Sequence, residues 1–456
     1  MFITMIDFLP KNLIALAHSL SSPLYIVGGF VRNFLIDKTI STDIDLAGNV
    51  SIDELKEKLS NFNFSIKAEY KKTGTLVLSD GDRKYEFTAF RTEEYKGGEH
   101  TPFSTTFTSD ILKDALRRDF KCNAVYYDIV NKKIVDPLGN GVENIKNKIL
   151  DTVDTPEKVF MHDGLRLMRL ARFAGELMFT PTKAVMLGAY KYRENIKEIS
   201  GERIFSELLK ILSSDTAYAF SDPKGHYLGL KILDETRVLD LILPELTDGR
   251  NMAQRADFHL YDVLEHSLRS VLYADKKVRL GALFHDIGKP FCFRRDGYYY
   301  AHFSEGEKIA ERVLLRLKAD KQTIKEIKFL VREHMVDLDC SLKINKVRRF
   351  IVKNHDRLEK LMLVKQADFR ASLEKHDITP TLIKWDRIYK TMLTDGTPFT
   401  LKDLKISSKT LMEIGFKDKE IGKELNKLFD FAILNPTKND SETLVNLATK
   451  DFKKIK

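Results

Sequence analysis

Hydrophobic positions change their period along the chain. In the first 22 residues Leu13, Leu16, Ala17 and Leu20 recur at i, i+3, i+4 and i+7 and predict a lead-in helix. From Tyr25 the pattern turns to short strands: an apolar run ends in Gly28-Gly29, a helix follows through Val31 to Ile36, and a second strand carries Asp43-x-Asp45. Alternate residues of a strand share a face, so Asp43 and Asp45 stand together while Ile44 and Leu46 face the core. Ser51 is placed to cap a helix over Ile52 to Leu59. Thr73 to Leu78 and Lys84 to Arg91 alternate as strands joined at Asp80-Gly81, with Glu86 on the second. Glu93 to Thr108, with Gly97-Gly98 and Pro102, reads as a mobile loop. A strand at Val125 to Tyr127 and a turn at Asp136 to Gly141 close this part, after which helical periodicity dominates. The fold class expected is α+β: a mixed-sheet head followed by all-helical sequence.

A chain of 456 residues exceeds one ordinary core and suggests about three domains. Its 43% hydrophobic and 31% charged residues describe a soluble globular protein. Net charge +9 suits a polyanionic partner, although a lysine-rich solvated surface gives the same figure. Cys122, Cys292 and Cys340 make no disulfide framework and fit a reducing cytoplasm; Cys122 reads as a small core residue. Met1 to Pro10 lacks the features of a signal peptide, and no run reaches a membrane span.

Gly28-Gly29 at a strand-to-helix turn lets backbone N–H groups approach a phosphate, with the helix N-terminus adding positive potential. Asp43 and Asp45 beside it suit Mg²⁺, a hard cation held by carboxylates and substrate phosphates. Each motif alone is as readily a turn or a solvated strand face; Arg32 between them strengthens the phosphate reading. Arg117-Arg118, next to Asp119 and ahead of Asn123, can clamp a triphosphate while the acid fixes an arginine rotamer. On the expected helix around His162 to Phe173, Asp163, Arg166 and Leu170 share a face. An acid and a guanidinium side by side can meet the Watson–Crick edge of one base, or simply pair with each other. Arg169 and Arg172 sit further round and could meet phosphates or RNA.

The ordered pattern G-G-x-V-R-N-x-L, D-x-D-L, R-R-D-F-x-x-N-A and H-D-x-x-R resembles the nucleotidyltransferases of the DNA polymerase β type, most closely the class II CCA-adding tRNA nucleotidyltransferases and bacterial poly(A) polymerases. The resemblance implies that Asp43 and Asp45, aided by Glu86, bind Mg²⁺ and carry catalysis. Gly28, Gly29, Arg32, Arg91, Arg117, Arg118, Asp119 and Asn123 then bind the nucleotide, Asp163 and Arg166 read its base, and Arg169 and Arg172 complete the nucleotide-binding set. Gly201 to Leu212 resembles the helix that buttresses this site, with Glu202, Arg203 and Glu207 in support.

Further on, His259, His266, His285, His302 and His334 cluster with Asp286 and Asp368. A helix end can present the adjacent His285-Asp286 to one ion, whereas a regular helix cannot put both on one face. The order H…H-D…H…H…D resembles the HD superfamily of metal-dependent phosphohydrolases. It implies His266, His285, Asp286, His302, His334 and Asp368 as ligands of a divalent transition metal, with His259 an extra member nearby.

The domains expected are a catalytic head over 1–150, a base-recognising neck over 151–215, a body with the HD segment over 216–375 and a lysine-rich tail over 376–456, of which Thr400 to Leu428 is the clearest amphipathic stretch. The activity implied is template-independent addition of CCA to tRNA from CTP and ATP. Poly(A) synthesis, CC-only or A-only addition, an HD-type phosphohydrolase and a plain RNA-binding module are the alternatives, and oligomeric state is left open. Several positions depart from the family pattern: Asn33 for Asp, Lys121-Cys122 for Thr-Ile, His162 for Glu, and Gly98-Glu99-His100 for D-x-R. They bear on how the site moves from C to A.

Overall fold

Strand β1 (Leu24–Val27) runs antiparallel to β2 (Asp43–Gly48), and the helix Gly29–Asp37 fills the connection between them. Residues 4–39, 42–95, 98, 100, 102–374 and 377–455 of this computed structural model are described below. After the helix Ile52–Leu59, capped by Ser51 whose side chain accepts from the Glu54 N–H, come β3 (Ser65–Tyr70), β4 (Thr75–Ser79) and β5 (Lys84–Ala89). β6 (Arg91–Glu94) and β7 (Ser104–Phe107) form a separate ribbon, and β8 (Tyr126–Asp128) and β9 (Lys133–Val135) return to the main sheet. The sheet order is β3-β4-β5-β2-β1-β8-β9, mixed because β2 and β5 alone pair in parallel.

That parallel pairing fixes the site. Asp43 lies opposite Lys84 and Asp45 opposite Glu86. Both strands alternate, so Ile44, Leu46, Tyr85 and Phe87 are buried on one face while Asp43, Asp45 and Glu86 point from the other.

The chain divides into two compact units, Met1–Asp248 with Arg312–Lys321, and Gly249–Glu311 with Gln322–Lys456. In the first, the helices Pro156–His162, Leu165–Leu177, Lys183–Lys191, Gly201–Ile211 and Gly225–Glu235 follow the sheet. The second is helical throughout among its described residues. It has one apolar cluster around Val347, Ile351 and Trp385 and another around Leu411, Phe416, Leu428 and Leu444.

Several expectations need correction. The lead-in helix is a short 3-10 turn, Met5–Phe8, then a helix Lys11–Ser19; Pro10 separates them and Leu20 falls outside, while residues 1–3 lie outside the described residues. The span Glu93 to Thr108 is not all loop, because its ends pair as β6 and β7; Gly97 and Glu99 lie outside the described residues. The tail stretch Thr400 to Leu428 is broken into a 3-10 turn at Leu401–Asp403 and helices at Ser408–Ile414 and Lys419–Leu434.

The expected helix through Asp163 and Arg166 is also broken. One helix ends at His162, Asp163 is extended with φ −147° and ψ 107°, and the next begins at Leu165. Gly164 at the joint packs on the backbone of Asn195, whose side chain donates to the Phe160 carbonyl. A Cβ on Gly164 would fall inside the van der Waals surface of the Asn195 carbonyl oxygen. Gly164→Ala is therefore expected to destabilise the first unit by about 1–3 kcal/mol through overpacking, measured by thermal or urea unfolding.

Candidate functional site

The turn after β1 opens a cleft of about 550 Å³. Gly28 there has φ +77°, and a Cβ would stand 3.0 Å from Asp45 Oδ2, so glycine alone lets the turn lie against the carboxylate. Gly29 begins the following helix, so its N-terminal end faces the cleft. Asp43 and Asp45 are exposed at the sheet surface. The Asp45 carboxyl titrates above its ordinary range, first because the cleft desolvates it and then because Glu86 and Asp43 crowd it, against the pull of Arg118. The three acids share one sheet face, and carboxylate oxygens are the donors that a hard divalent cation takes.

Opposite the acids stands a set of arginines, each held differently. Arg32 is buried, and its hydrogen-bond partners among the described residues are neutral: Asn33 Oδ1 at 2.8 and 3.0 Å, Asn123 Oδ1 at 2.6 Å and the Tyr218 hydroxyl at 2.9 Å. Its positive charge stays available to an anion. Arg117 and Arg118 are fixed by Asp114, not by Asp119 as the sequence suggested. Arg117 Nε donates to Asp114 Oδ1 at 2.7 Å, and Arg118 Nη2 and the Tyr126 hydroxyl donate to Oδ2 at 3.1 and 2.6 Å. Burial works to raise the Asp114 pKa, but Arg118 and Arg117 hold it at about 2. Glu93 accepts from Arg91 at 2.7 Å and lies 3.5 Å from Arg117. Asp119 instead accepts from Arg169 Nε at 2.7 Å and from Asn123 Nδ2 at 3.1 Å. Arg172 is likewise engaged, by Glu207 at 2.7 Å and Glu176 at 3.1 Å.

Asp163 and Arg166 line the same cleft and both are buried. Arg166 Nε is 3.8 Å from Asp163 Oδ2, and the guanidinium is anchored on the Arg117 and Val159 carbonyls. Asp163 Oδ1 accepts from the Leu165 N–H at 2.9 Å, and His100 Nδ1 lies 2.8 Å from Oδ2. Burial lifts the Asp163 pKa to about 6 despite Arg166. The Tyr95 ring stacks on His162 at 5.4 Å and lies 5.8 Å from the Arg166 guanidinium.

Of the expected head residues, the two glycines, the arginines, Asn123, Asp45, Asp119 and Asp163 line this cleft, whereas Asp43 and Glu86 stand on the same sheet face as Asp45 but outside its lining. The sequence reading missed Asp114, Glu93, Tyr95 and Tyr218. Asp114 could have been found, because it sits three and four residues before the two arginines at the end of a helix. Tyr218 offers no such local signal.

The second unit holds another cluster. His266, His285 and Asp368 form one triad of donor atoms within 4.8 Å, and Asp286, His302 and His334 form another. Nε2 of His266 lies 3.2 Å from Nε2 of His285, and the Nε2 atoms of His302 and His334 are also 3.2 Å apart. Nδ1 of His285, His302 and His334 bonds the carbonyls of Ala282, Tyr299 and Val331 at 2.7, 2.9 and 2.8 Å. Those bonds place the proton on Nδ1 and turn the Nε2 lone pairs inward, the orientation a metal requires. His285 and Asp286 follow the end of the helix Arg279–Phe284, and the His259 ring lies 4.8 Å from that of His266. Imidazole and carboxylate donors of this kind fit a divalent transition metal.

Comparison with known proteins agrees with this layout. Residues 24–151 match the poly A polymerase head domain, 179–249 the probable RNA and SrmB binding site of polymerase A, and 259–368 the HD domain. These three matches follow one another along the chain in that order. It is 37% identical over 187 residues to the CCA-adding enzyme of Lactobacillus helveticus, covering 41% of this chain and 45% of that one. To the CCA-adding enzyme of a Geobacillus species it is 33% identical over 241 residues, covering 53% and 55%. To the A-adding tRNA nucleotidyltransferase of Deinococcus radiodurans it is 31% identical over 276 residues, covering 57% and 60%. The chain thus spans about half the length of the curated relatives it matches. In fold it is similar to the Bacillus stearothermophilus CCA-adding enzyme solved with CTP, with TM-score 0.67, 19% identity, and 97% of this chain and 98% of that one covered. The Thermotoga maritima CCA-adding enzyme solved with tRNA gives TM-score 0.60 and 18% identity over 97% and 94%.

The donor geometry of the histidine cluster predicts that Co²⁺ or Mn²⁺ raises the melting temperature of the protein. The gain is about 2.7 kcal/mol at a hundredfold excess over the dissociation constant, and Asp286→Ala with His334→Ala removes it.

Proposed function

We propose that this chain adds C, C and A to the 3′ end of tRNA, using CTP and ATP and no nucleic-acid template. The observation that supports it most is the in-register pairing of Asp45 with Glu86, which sets three acids on one sheet face beside a cleft that Asp45 lines together with Arg32, Arg118, Asp163 and Arg166. In this reading Asp43, Asp45 and Glu86 hold Mg²⁺, which supplies activation of the tRNA 3′-hydroxyl and neutralisation of the leaving pyrophosphate. Gly28 and Gly29 give backbone N–H groups to the triphosphate, and Arg32, Arg91, Arg117 and Arg118 neutralise it. Asp119 holds Arg169 and Asn123, which in turn fixes Arg32, so these side chains are set before the nucleotide arrives. Asp163 accepts the amino group of cytosine or adenine while Arg166 donates to ring acceptors.

The head is assigned to 1–150, the base-reading neck to 151–215, the HD-containing body to 216–375 and the tRNA-gripping tail to 376–456. The cytoplasm is the compartment in which its three free cysteines stay reduced. Among the described residues no helix is long and apolar enough to cross a membrane. Poly(A) synthesis and CC- or A-only addition use the same head and differ in product. A second activity, metal-dependent phosphoester hydrolysis, is assigned to the cluster of His266, His285, Asp286, His302, His334 and Asp368, supported by its inward-facing nitrogen lone pairs.

Asp45→Asn is expected to cut nucleotide addition by about 10²–10³-fold or more while leaving tRNA binding and the melting temperature near those of the parent. Normal turnover by that variant contradicts the assignment. Because Asp163 titrates at about 6, it is an acceptor above that pH and protonated below it. The KM for both CTP and ATP therefore rises as pH falls through 6, and Asp163→Asn flattens that part of the profile.

A further inference from the structure

In the cleft the His100 imidazole meets the Asp163 carboxylate. The side chain of Asp163 is only 6% exposed, whereas that of His100 is 39% exposed, so the imidazole covers a buried carboxylate from the solvent side. It is delivered there by the backbone. The Gly98 carbonyl accepts from the Gly164 N–H at 2.9 Å, and Gly98, with φ +87°, lies so close to Asn195 that a Cβ would stand 2.9 Å from the asparagine Cβ. Two hydrogen bonds therefore dock Gly98 and His100 on the helix break that carries Asp163.

Each oxygen of the carboxylate already has a partner. Oδ1 serves the Leu165 N–H, and Oδ2, 3.8 Å from Arg166 Nε, takes His100. With Asp163 ionised the imidazole is the donor in this bond, the same kind of donor as the exocyclic amino group of cytosine or adenine. A base bearing a carbonyl at that position would set an acceptor against an acceptor. The charged groups facing this contact are Arg166 and Arg169 of the helix Leu165–Leu177 and Asp119 of the turn that follows the helix Ile111–Leu116.

We propose that His100 is a place-holder on the base-reading acid: it occupies Asp163 Oδ2 in the nucleotide-free protein and is displaced by the amino group of the incoming base. This rests on Asp163 reading the base. His100 then sets how strongly a nucleotide must bind to open the site. Nucleotide affinity is lowered by the fraction of molecules in which Asp163 is covered, so removing the imidazole raises it.

Equilibrium binding of CTP and ATP to the full chain, without RNA, tests this with H100A and H100Q. His100 is partly exposed, so neither change disturbs a core. H100A is expected to bind both nucleotides about three- to tenfold more tightly, the effect of removing one charge-assisted competitor. H100Q, whose amide restores a donor, is expected to return affinity toward that of the parent. A loss of affinity in H100A, or equal affinity in all three proteins, overturns the place-holder role, as does an H100Q that binds as tightly as H100A. Failure of the parent itself to bind either nucleotide removes the base-reading assignment as well, and so distinguishes that failure from the first.

Discussion

The head depends on one constraint, the parallel pairing of β2 with β5 in the register that sets Asp45 beside Glu86. A slip of one residue in β2 would turn Asp43 and Asp45 toward the core and bring Ile44 and Leu46 to the polar face, and the same slip in β5 would do so for Glu86 and for Tyr85 and Phe87. The buried face therefore enforces the register, and the register assembles the acids. The cost is electrostatic: the Asp45 pKa is raised first by desolvation in the cleft and then by the neighbouring Glu86 and Asp43 carboxylates. A divalent cation is the most direct relief.

The cleft meets that negative surface with arginines held by buried acids. Asp114 fixes Arg117 and Arg118, Asp119 fixes Arg169, and Glu176 and Glu207 fix Arg172. Such pairs cost desolvation and are weak evidence for stability. What they give is orientation, since a guanidinium whose rotamer is fixed loses less freedom when it meets a phosphate. Arg32 differs, because Asn33, Asn123 and Tyr218 orient it without cancelling its charge. Asn33, where the family pattern has an acid, thus leaves the cleft more positive next to the phosphate cradle.

Much of this was legible in the sequence wherever chemistry follows a local period. Strand alternation gave the shared face of Asp43 and Asp45, the Ser51 cap marked its helix, and the order of histidines and aspartates named the six residues that gather as two donor triads. What stayed hidden depends on distant packing. The break at Asp163-Gly164 lies inside a sequence with good helical periodicity and is set by Asn195, far along the chain. Strand β3 is mostly exposed at the sheet edge, so its residues lack the apolar alternation of a half-buried strand. Asp119 looked like the partner of its neighbouring arginines, but its side chain turns to Arg169 on another helix. Adjacency in sequence did not decide which carboxylate held which arginine.

The central claim is that acids, arginines and the Asp163–Arg166 pair together make a base-selective nucleotidyltransferase. It is tested most directly by incubating the purified protein and Mg²⁺ with a tRNA lacking its 3′ end, giving CTP, ATP or both, and resolving products at single-nucleotide length. Two C additions followed by one A and then a stop is the predicted result. No extension under any condition, or extension indifferent to the base supplied, would contradict it.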